Sequence, residues 1–206
     1  IIITGPSGSG KSTLTNRLSN LFDDSIVIKT DSYYRDNILI RFFSLFRSDI
    51  YDRPISIKKT ELEKNICSIS NNESIVSLRN YDFKSKKSTI SKKMINYKGK
   101  NQFLIVEGIF SHRLNINYQD TINIICDEEQ DMCFTRRQTR DQLERGRNIK
   151  EVNNKVKKSW YLFFKNIDDF KESNKVVFLN QAKKESYNKL ISNLKNIKKI
   201  TRKNKY

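Results

Sequence analysis

The chain of 206 residues contains one histidine, His112. That scarcity argues against a Cys/His zinc site and against a Ser-His-Asp triad. The three cysteines, Cys67, Cys126 and Cys133, form neither a C-x-x-C pair nor an even framework, so they read as free thiols of a reducing compartment. No apolar run approaches the ~18–20 residues needed to span a bilayer, and Ile1 to Ile3 are too few for a signal peptide. A soluble cytoplasmic protein without a membrane partner is expected. The chain opens inside what reads as a strand, so a few residues are expected ahead of Ile1. Acidic residues are also in short supply: 23 Asp and Glu face 40 Lys and Arg, for a formal charge of +17. An excess of that size suits an anionic partner, whether nucleotide phosphates, nucleic acid or a membrane surface. It equally suits plain composition, since Lys, Asn and Ile crowd the sequence and much of the Lys can be solvated surface. A hydrophobic content of 36% is enough for one core at this length, with room for a lid.

What is present begins at residue 5. Gly5-Pro6-Ser7-Gly8-Ser9-Gly10-Lys11-Ser12 fits G-x-x-x-x-G-K-[ST]. A short β-branched run, Ile1 to Thr4, precedes it. Leu14, Leu18 and Leu21 come after it at helical spacing. Strand, glycine-rich turn and helix start together make a phosphate cradle, with loop amides and the helix dipole converging on oxygen. In such a loop Lys11 reaches the β- and γ-phosphates, and the Ser12 hydroxyl is a ligand for Mg²⁺. The motif says that a nucleotide phosphate is held; it leaves open whether the phosphate is hydrolysed or handed on.

Two acids end apolar strands, where ligands bind in open parallel sheets. "SIVIKT" runs into Asp31, which can accept a proton, contact Mg²⁺, or simply cap a helix. "QFLIVEGIF" is the clearest buried strand, and Glu107 at its end is placed for Mg²⁺ or its water shell. Further strands are expected at "SIVSLRNYDF", Thr121 to Asp127 and Lys175 to Asn180. Helices are expected at Thr60 to Ile69, after Asp127, and from Lys183, where Leu190, Leu194, Ile197 and Ile200 share a face. The run "ILIRFFSLF" is apolar with one Arg, Pro54 in "YDRP" breaks the pattern after it, and "KSKKSTISKK" reads as a basic, solvated segment. In "DEEQDMCFTRRQTRDQLERGRN" the arginines crowd together. Arg136 or Arg137 with Arg140 lies on one helical face. They suit either a lid that closes on transferring charge or a solvated helix paired by Asp141 and Glu144. On charge pattern alone the solvated helix is favoured.

The segments "GPSGSGKST", "DSYYR", "YDRP", "NYDF" and "RRQTRDQLERGR" occur in order, with "FLIVEGIF" between the last two. In these the chain resembles the uridine kinase (uridine–cytidine kinase) family, within the phosphoribulokinase/uridine kinase group of P-loop kinases. The likeness spans residues 1 to about 150; the final fifty match loosely. It implies a P-loop NTPase-like three-layer α/β fold with a mostly parallel central sheet flanked by helices. It also implies one kinase domain over 1–206, with an acceptor-site insertion at about 33–100, a lid at about 136–155 and a basic C-terminal helix at about 183–206. By the resemblance, Asp31 is the base that draws the proton from a ribose 5′-hydroxyl and lies near Mg²⁺, with Lys11, Arg137 and Arg140 stabilising charge. Gly5 to Thr13 and Arg145 hold the nucleotide, ATP or GTP. Tyr34, Asp52, Tyr81, Lys86, Arg137 and Arg147 line the acceptor site, Asp52 taking the ribose cis-diol. Ser12, Asp31 and Glu107 hold Mg²⁺. Members are often oligomers, so a homo-oligomer is an open expectation.

Departures fall on the acceptor side. Lys86 stands where the family has a histidine that touches the pyrimidine edge. Lysine only donates, whereas neutral histidine does both. Lys86 could reach the O4 of uracil and would be a poor partner for the 4-amino group of cytosine. "YDRPISIKK" lacks the family's usual continuation, and Asn154-Lys155-Val156 replaces an expected Gln-Tyr region. "SWYLFF" also stands in for a different stretch. The expected activity is phosphorylation of uridine, and of cytidine as a second acceptor, with small-molecule partners rather than nucleic acid. The alternatives are a related kinase with another acceptor (another nucleoside, nicotinamide riboside or a sugar phosphate) and a P-loop protein with a basic polyanion-binding surface.

Overall fold

The structure is a computed structural model. It describes residues 1–203 except 47–48, 100–101, 117, 119, 146–148, 166 and 174; the side chains of 41, 45, 144, 145, 149–151, 173 and 200–203 are also outside the description. The N-terminal β-branched run forms β1 (Ile2–Thr4), and the glycine-rich turn leads into α1 (Lys11–Leu21). Then come β2 (Ile26–Lys29), α2 (Ile38–Phe46), α3 (Lys59–Ser70) and a hairpin of β3 (Ile75–Asp82) and β4 (Lys87–Met94). The chain returns through β5 (Leu104–Glu107) and β6 (Asn123–Cys126) to α4 (Gln130–Arg145), α5 (Ile149–Lys165) and α6 (Asp168–Ser173). It closes with β7 (Val176–Leu179) and α7 (Lys184–Lys203).

Five strands make one parallel sheet in the order β2-β5-β1-β6-β7. Its centre is apolar on both faces, as a sheet covered by helices requires. Because side chains alternate along a strand, Ile3, Ile105 and Ile124 point into one core with Leu14 and Leu18 of α1 and Leu190 and Leu194 of α7. Ile2, Val106 and Ile125 point into the other, with Leu62 and Ile66 of α3, Phe163 of α5 and Phe170 of α6. The three-layer expectation is thus met. The docking stripe of α7 ends at Leu194: Ile197 is 38% exposed, and the side chain of Ile200 lies outside the described residues.

The β3–β4 hairpin is a separate antiparallel sheet. "KSKKSTISKK" is solvated as expected, yet from Lys87 to Lys93 it is strand. Every residue of β4 except Ser88 is exposed, so the strand rests on backbone pairing and carries no apolar alternation to announce it. Asp36 anchors it: its carboxylate accepts from the Ser88 amide at 3.1 Å and from Lys58 Nζ at 2.8 Å. Helix α5 is an element that the sequence pattern does not announce. It packs along α4 through Trp160, whose ring meets Phe134 edge-on at 5.8 Å. On α2, Ile38, Leu39, Phe42, Phe43 and Phe46 are exposed, while Ile40 is buried. Among the described residues no helix is long and apolar enough to cross a membrane.

Candidate active site

The carboxyl ends of β1, β2 and β5 open into one cleft. Its walls include Ser7, Lys11, Ser12, Asp31, Glu107 and Arg140 on one side. Tyr34, Tyr51, Asp52, Tyr81, Phe83 and Lys86 line the other.

The phosphate loop is built by backbone that only glycine tolerates. Gly8 has φ +91°, and a Cβ there would lie 2.3 Å from the Cys133 carbonyl oxygen, so the loop sits directly on α4. Lys11, nearly buried, donates from Nζ to the Pro6 carbonyl at 3.0 Å, folded back over its own loop. The Ser12 hydroxyl donates to Glu107 Oε1 at 3.2 Å. A Cβ on Gly108 would fall 1.7 Å from Thr30 Oγ1. The end of β5 therefore abuts the turn carrying Asp31, which brings the two strand-end acids together.

Asp31 lies inside a short 3-10 turn, Thr30–Tyr33, whose N-cap is Lys29 and not Asp31. The capping alternative is therefore removed. Its Oδ1 is buried without a hydrogen-bond partner. Burial pushes the Glu107 carboxyl above its ordinary range, the Asp31 charge adds to that, and Lys11 opposes it. A cation between these acids would relieve both. Among the described residues no three His, Cys, Asp or Glu side chains form a metal cage. One hydroxyl and two carboxylates suit Mg²⁺ that arrives with phosphates and keeps waters. Cys126 and Cys133 are free and buried, with thiols pushed up to about 12 and about 11, so neither is a nucleophile.

One face of the arginine helix α4 is interior, while most of its other described residues are exposed. Arg137 is 4% exposed and Asp141 is 0% exposed. Arg137 Nη2 donates to both oxygens of Asp52, at 3.1 and 3.2 Å, and Nη1 donates to the Ser159 hydroxyl of α5. Arg140 donates to Ser7 Oγ at 3.1 Å, and Arg136 to the Gly8 carbonyl at 3.3 Å. The arginines of α4 therefore touch both the phosphate loop and the segment that carries Asp52. Arg147 lies outside the described residues, as does the side chain of Arg145.

The opposite wall of the cleft is aromatic. Tyr34 meets Tyr51, Tyr81 and Phe83 with ring centroids 5.9, 5.4 and 5.7 Å away. The segment bearing Asp52 is clamped by Arg53, which donates to Asp49 Oδ2 from Nη2 at 2.6 Å and from Nε at 2.9 Å. Tyr51, Phe83 and Lys155 also line the cleft, and sequence reasoning misses them as site residues. Tyr51 and Phe83 each adjoin an expected site segment. Lys155 sits where the sequence departs from the family's Gln-Tyr region.

A uridine kinase of Staphylococcus aureus is 34% identical over 155 residues, covering 74% of this chain and 72% of that protein. The fold is similar to a structure described as a possible uridine kinase from Bacillus stearothermophilus, with TM-score 0.56, 14% identity, and 85% of each chain covered. It is also similar to deoxyadenosine kinase from M. mycoides with bound dATP, with TM-score 0.50, 12% identity, and 94% of this chain and 98% of that one covered. The model of the phosphoribulokinase/uridine kinase family matches residues 1–186, and the chain belongs to that family of P-loop kinases.

Proposed function

We propose that the protein transfers the γ-phosphoryl group of ATP or GTP to the 5′-hydroxyl of a ribonucleoside, uridine first and cytidine second, as in pyrimidine salvage. The observation that carries this is Asp31, whose unpartnered carboxylate oxygen is buried in the cleft that the phosphate loop and the acceptor wall share. Asp31 takes the proton as the 5′-oxygen bonds to the γ-phosphorus. The bond from that phosphorus to the bridging oxygen breaks, and the nucleoside diphosphate leaves. Lys11 swings from the Pro6 carbonyl onto the phosphates, and Arg137 and Arg140 meet the charge on the transferring group. Ser12, Asp31 and Glu107 would hold Mg²⁺, which would supply positive charge against the phosphates. Asp52 keeps acceptor capacity beyond its bonds to Arg137 and takes the ribose diol, while Tyr34 and Tyr81 flank the base. The whole chain acts as one kinase domain with its acceptor insertion and lid, and its free thiols fit the reducing cytoplasm.

The test is nucleoside diphosphate release from ATP and Mg²⁺ against uridine, cytidine, adenosine, guanosine, nicotinamide riboside, ribulose 5-phosphate and no acceptor. Strong dependence on uridine is expected. Equal release without an acceptor overturns transfer. A second reading, a kinase of the same family with a more anionic acceptor, draws on Lys86 and Lys155 in the acceptor half; selective turnover of ribulose 5-phosphate would establish it.

A further inference from the structure

Helix α4 turns an arginine and an acid inward and a leucine outward. Its interior stripe is Cys133, Arg137 and Asp141, at i, i+4 and i+8, while Leu143 is 81% exposed. Packing alone favours the reverse, because a buried carboxylate is costly unless its partners are well placed. Asp141 has such partners. Its Oδ1 accepts from Arg140 Nη2 at 3.2 Å, and its Oδ2 lies 3.9 Å from Arg137 Nε as an ion pair. The same Arg140 nitrogen donates to Ser7 Oγ of the phosphate loop at 3.1 Å. Arg137 Nη2 meanwhile reaches both oxygens of Asp52 on the other wall of the cleft. Ser159 of α5, also buried, completes the arrangement. Its hydroxyl donates to the Val156 carbonyl at 3.0 Å, which leaves its lone pairs to accept from Arg137 Nη1. Arg137 and Arg140 line the cleft, and Asp141 and Ser159 stand behind them, off its wall.

Resting on the reading that Arg137 and Arg140 meet the transferring phosphoryl group, we propose that Asp141 and Ser159 are positioning residues for the reaction. Asp141 sets the two arginines relative to each other across the cleft, and Ser159 fixes the plane of the Arg137 guanidinium. Two guanidinium groups that share one carboxylate can stand side by side, where two unneutralised charges would push apart. Donors held in fixed directions before the reaction stabilise the charge that develops in it without reorganising. The inward acid of α4 is thus explained by what it does to the arginines on either side of it.

The experiment measures kcat and KM in the wild type, D141N, S159A, S159T, R140A and R140A/D141N, with melting temperature as the control of folding. ATP and Mg²⁺ are used with the acceptor that the panel above selects, uridine being expected. D141N and S159A should each lose about tenfold or more in kcat, with the KM for ATP within about threefold, because misplaced groups cost rate more than binding. S159T keeps the hydroxyl and should recover most of that rate. R140A should lose roughly a hundredfold in kcat. Adding D141N to R140A should then cost less than about threefold further, since the arginine it acts through is already gone. Wild-type kcat in D141N or S159A, with R140A slow, overturns the inference and leaves the reading of the arginines intact. A D141N loss as large in R140A as in the wild type also overturns it, and marks Asp141 as a support of the fold. Where D141N alone does not fold, the serine variants decide: equal kcat in the wild type, S159A and S159T overturns the inference. Wild-type kcat in R140A removes the reading of the arginines, and the inference with it.

Discussion

Arg137 on α4 holds Asp52, 85 residues earlier in the chain, through one guanidinium nitrogen that reaches both carboxylate oxygens. Helix α4 and the segment that carries Asp52 are thereby joined. Replacing Asp52 by Asn keeps the shape and removes the charge that Arg137 uses and that the proposed ribose diol would use. The D52N enzyme is expected to show an acceptor KM raised about tenfold or more, the loss of one to two hydrogen bonds to a charged group. The KM for ATP should stay within about threefold. Steady-state kinetics with each substrate varied in turn decides this, and an unchanged acceptor KM would remove Asp52 from the diol site.

Asp31→Asn keeps the hydrogen-bonding shape and removes the proposed base. Its kcat is expected to fall roughly a hundredfold or more, with ATP still bound. Rapid-quench measurement of a single turnover isolates the chemical step. A kcat equal to that of the wild type would show that Asp31 is not the base.

Glu107 gives a prediction with opposite signs for stability and activity. Burial holds its carboxyl above the ordinary 4.5, so the fold favours the protonated form. Below that ordinary value folded and unfolded chains both keep the proton, and the group's contribution to stability is fully present. As pH rises the unfolded chain releases the proton first, and stability falls until the folded carboxyl has titrated too. In metal-free buffer E107Q should therefore melt above the wild type at pH 7, with the gap shrinking towards pH 4. At the same time E107Q should lose most Mg²⁺-dependent activity. Melting curves across that range, with and without Mg²⁺, report both effects.

Gly8→Ala asks a Cβ to occupy space 2.3 Å from the Cys133 carbonyl, at φ +91°. Either the loop or α4 must move. The expected cost is on the order of 1–3 kcal/mol in stability, together with ATP affinity weakened about tenfold or more. Denaturant unfolding and nucleotide titration measure the two separately. Wild-type affinity in G8A would mean that the loop tolerates a shift away from α4.

The phosphate loop and both strand-end acids are legible in the sequence because their signal is local: glycines in fixed positions, an apolar run, then an acid. The burial of Arg137 and Asp141 is not. A helix reading R-R-x-x-R-D looks solvated by charge pattern, and only the packing of α5, with Ser159 against Arg137, makes it an interior. Helix α5 itself is hidden because its aromatic half reads as packing and its lysine-rich half as lid. Strand β4 is hidden because an exposed strand of Lys, Ser and Thr has no apolar side to alternate. Tyr51 becomes a site residue through its place on the cleft wall, which depends on how the insertion folds back over Asp31.

The order of strands also dictates when the protein can come together. Central strand β1 pairs with no near neighbour in sequence: Ile2 sits beside Val106 on one side and Asn123 on the other. Strand β2 likewise waits for β5, with Ile28 opposite Val106. The first thirty residues hold the phosphate loop and lead into Asp31, yet they contain no strand-to-strand pair of their own. Loop-closure entropy must be met over 78 residues for β2 and over a hundred for β1 before those contacts reward it. A chain growing from its N-terminus therefore carries its nucleotide-binding sequence unassembled until β5 is made, and any truncation ahead of Leu104 leaves that sequence without the sheet that shapes it.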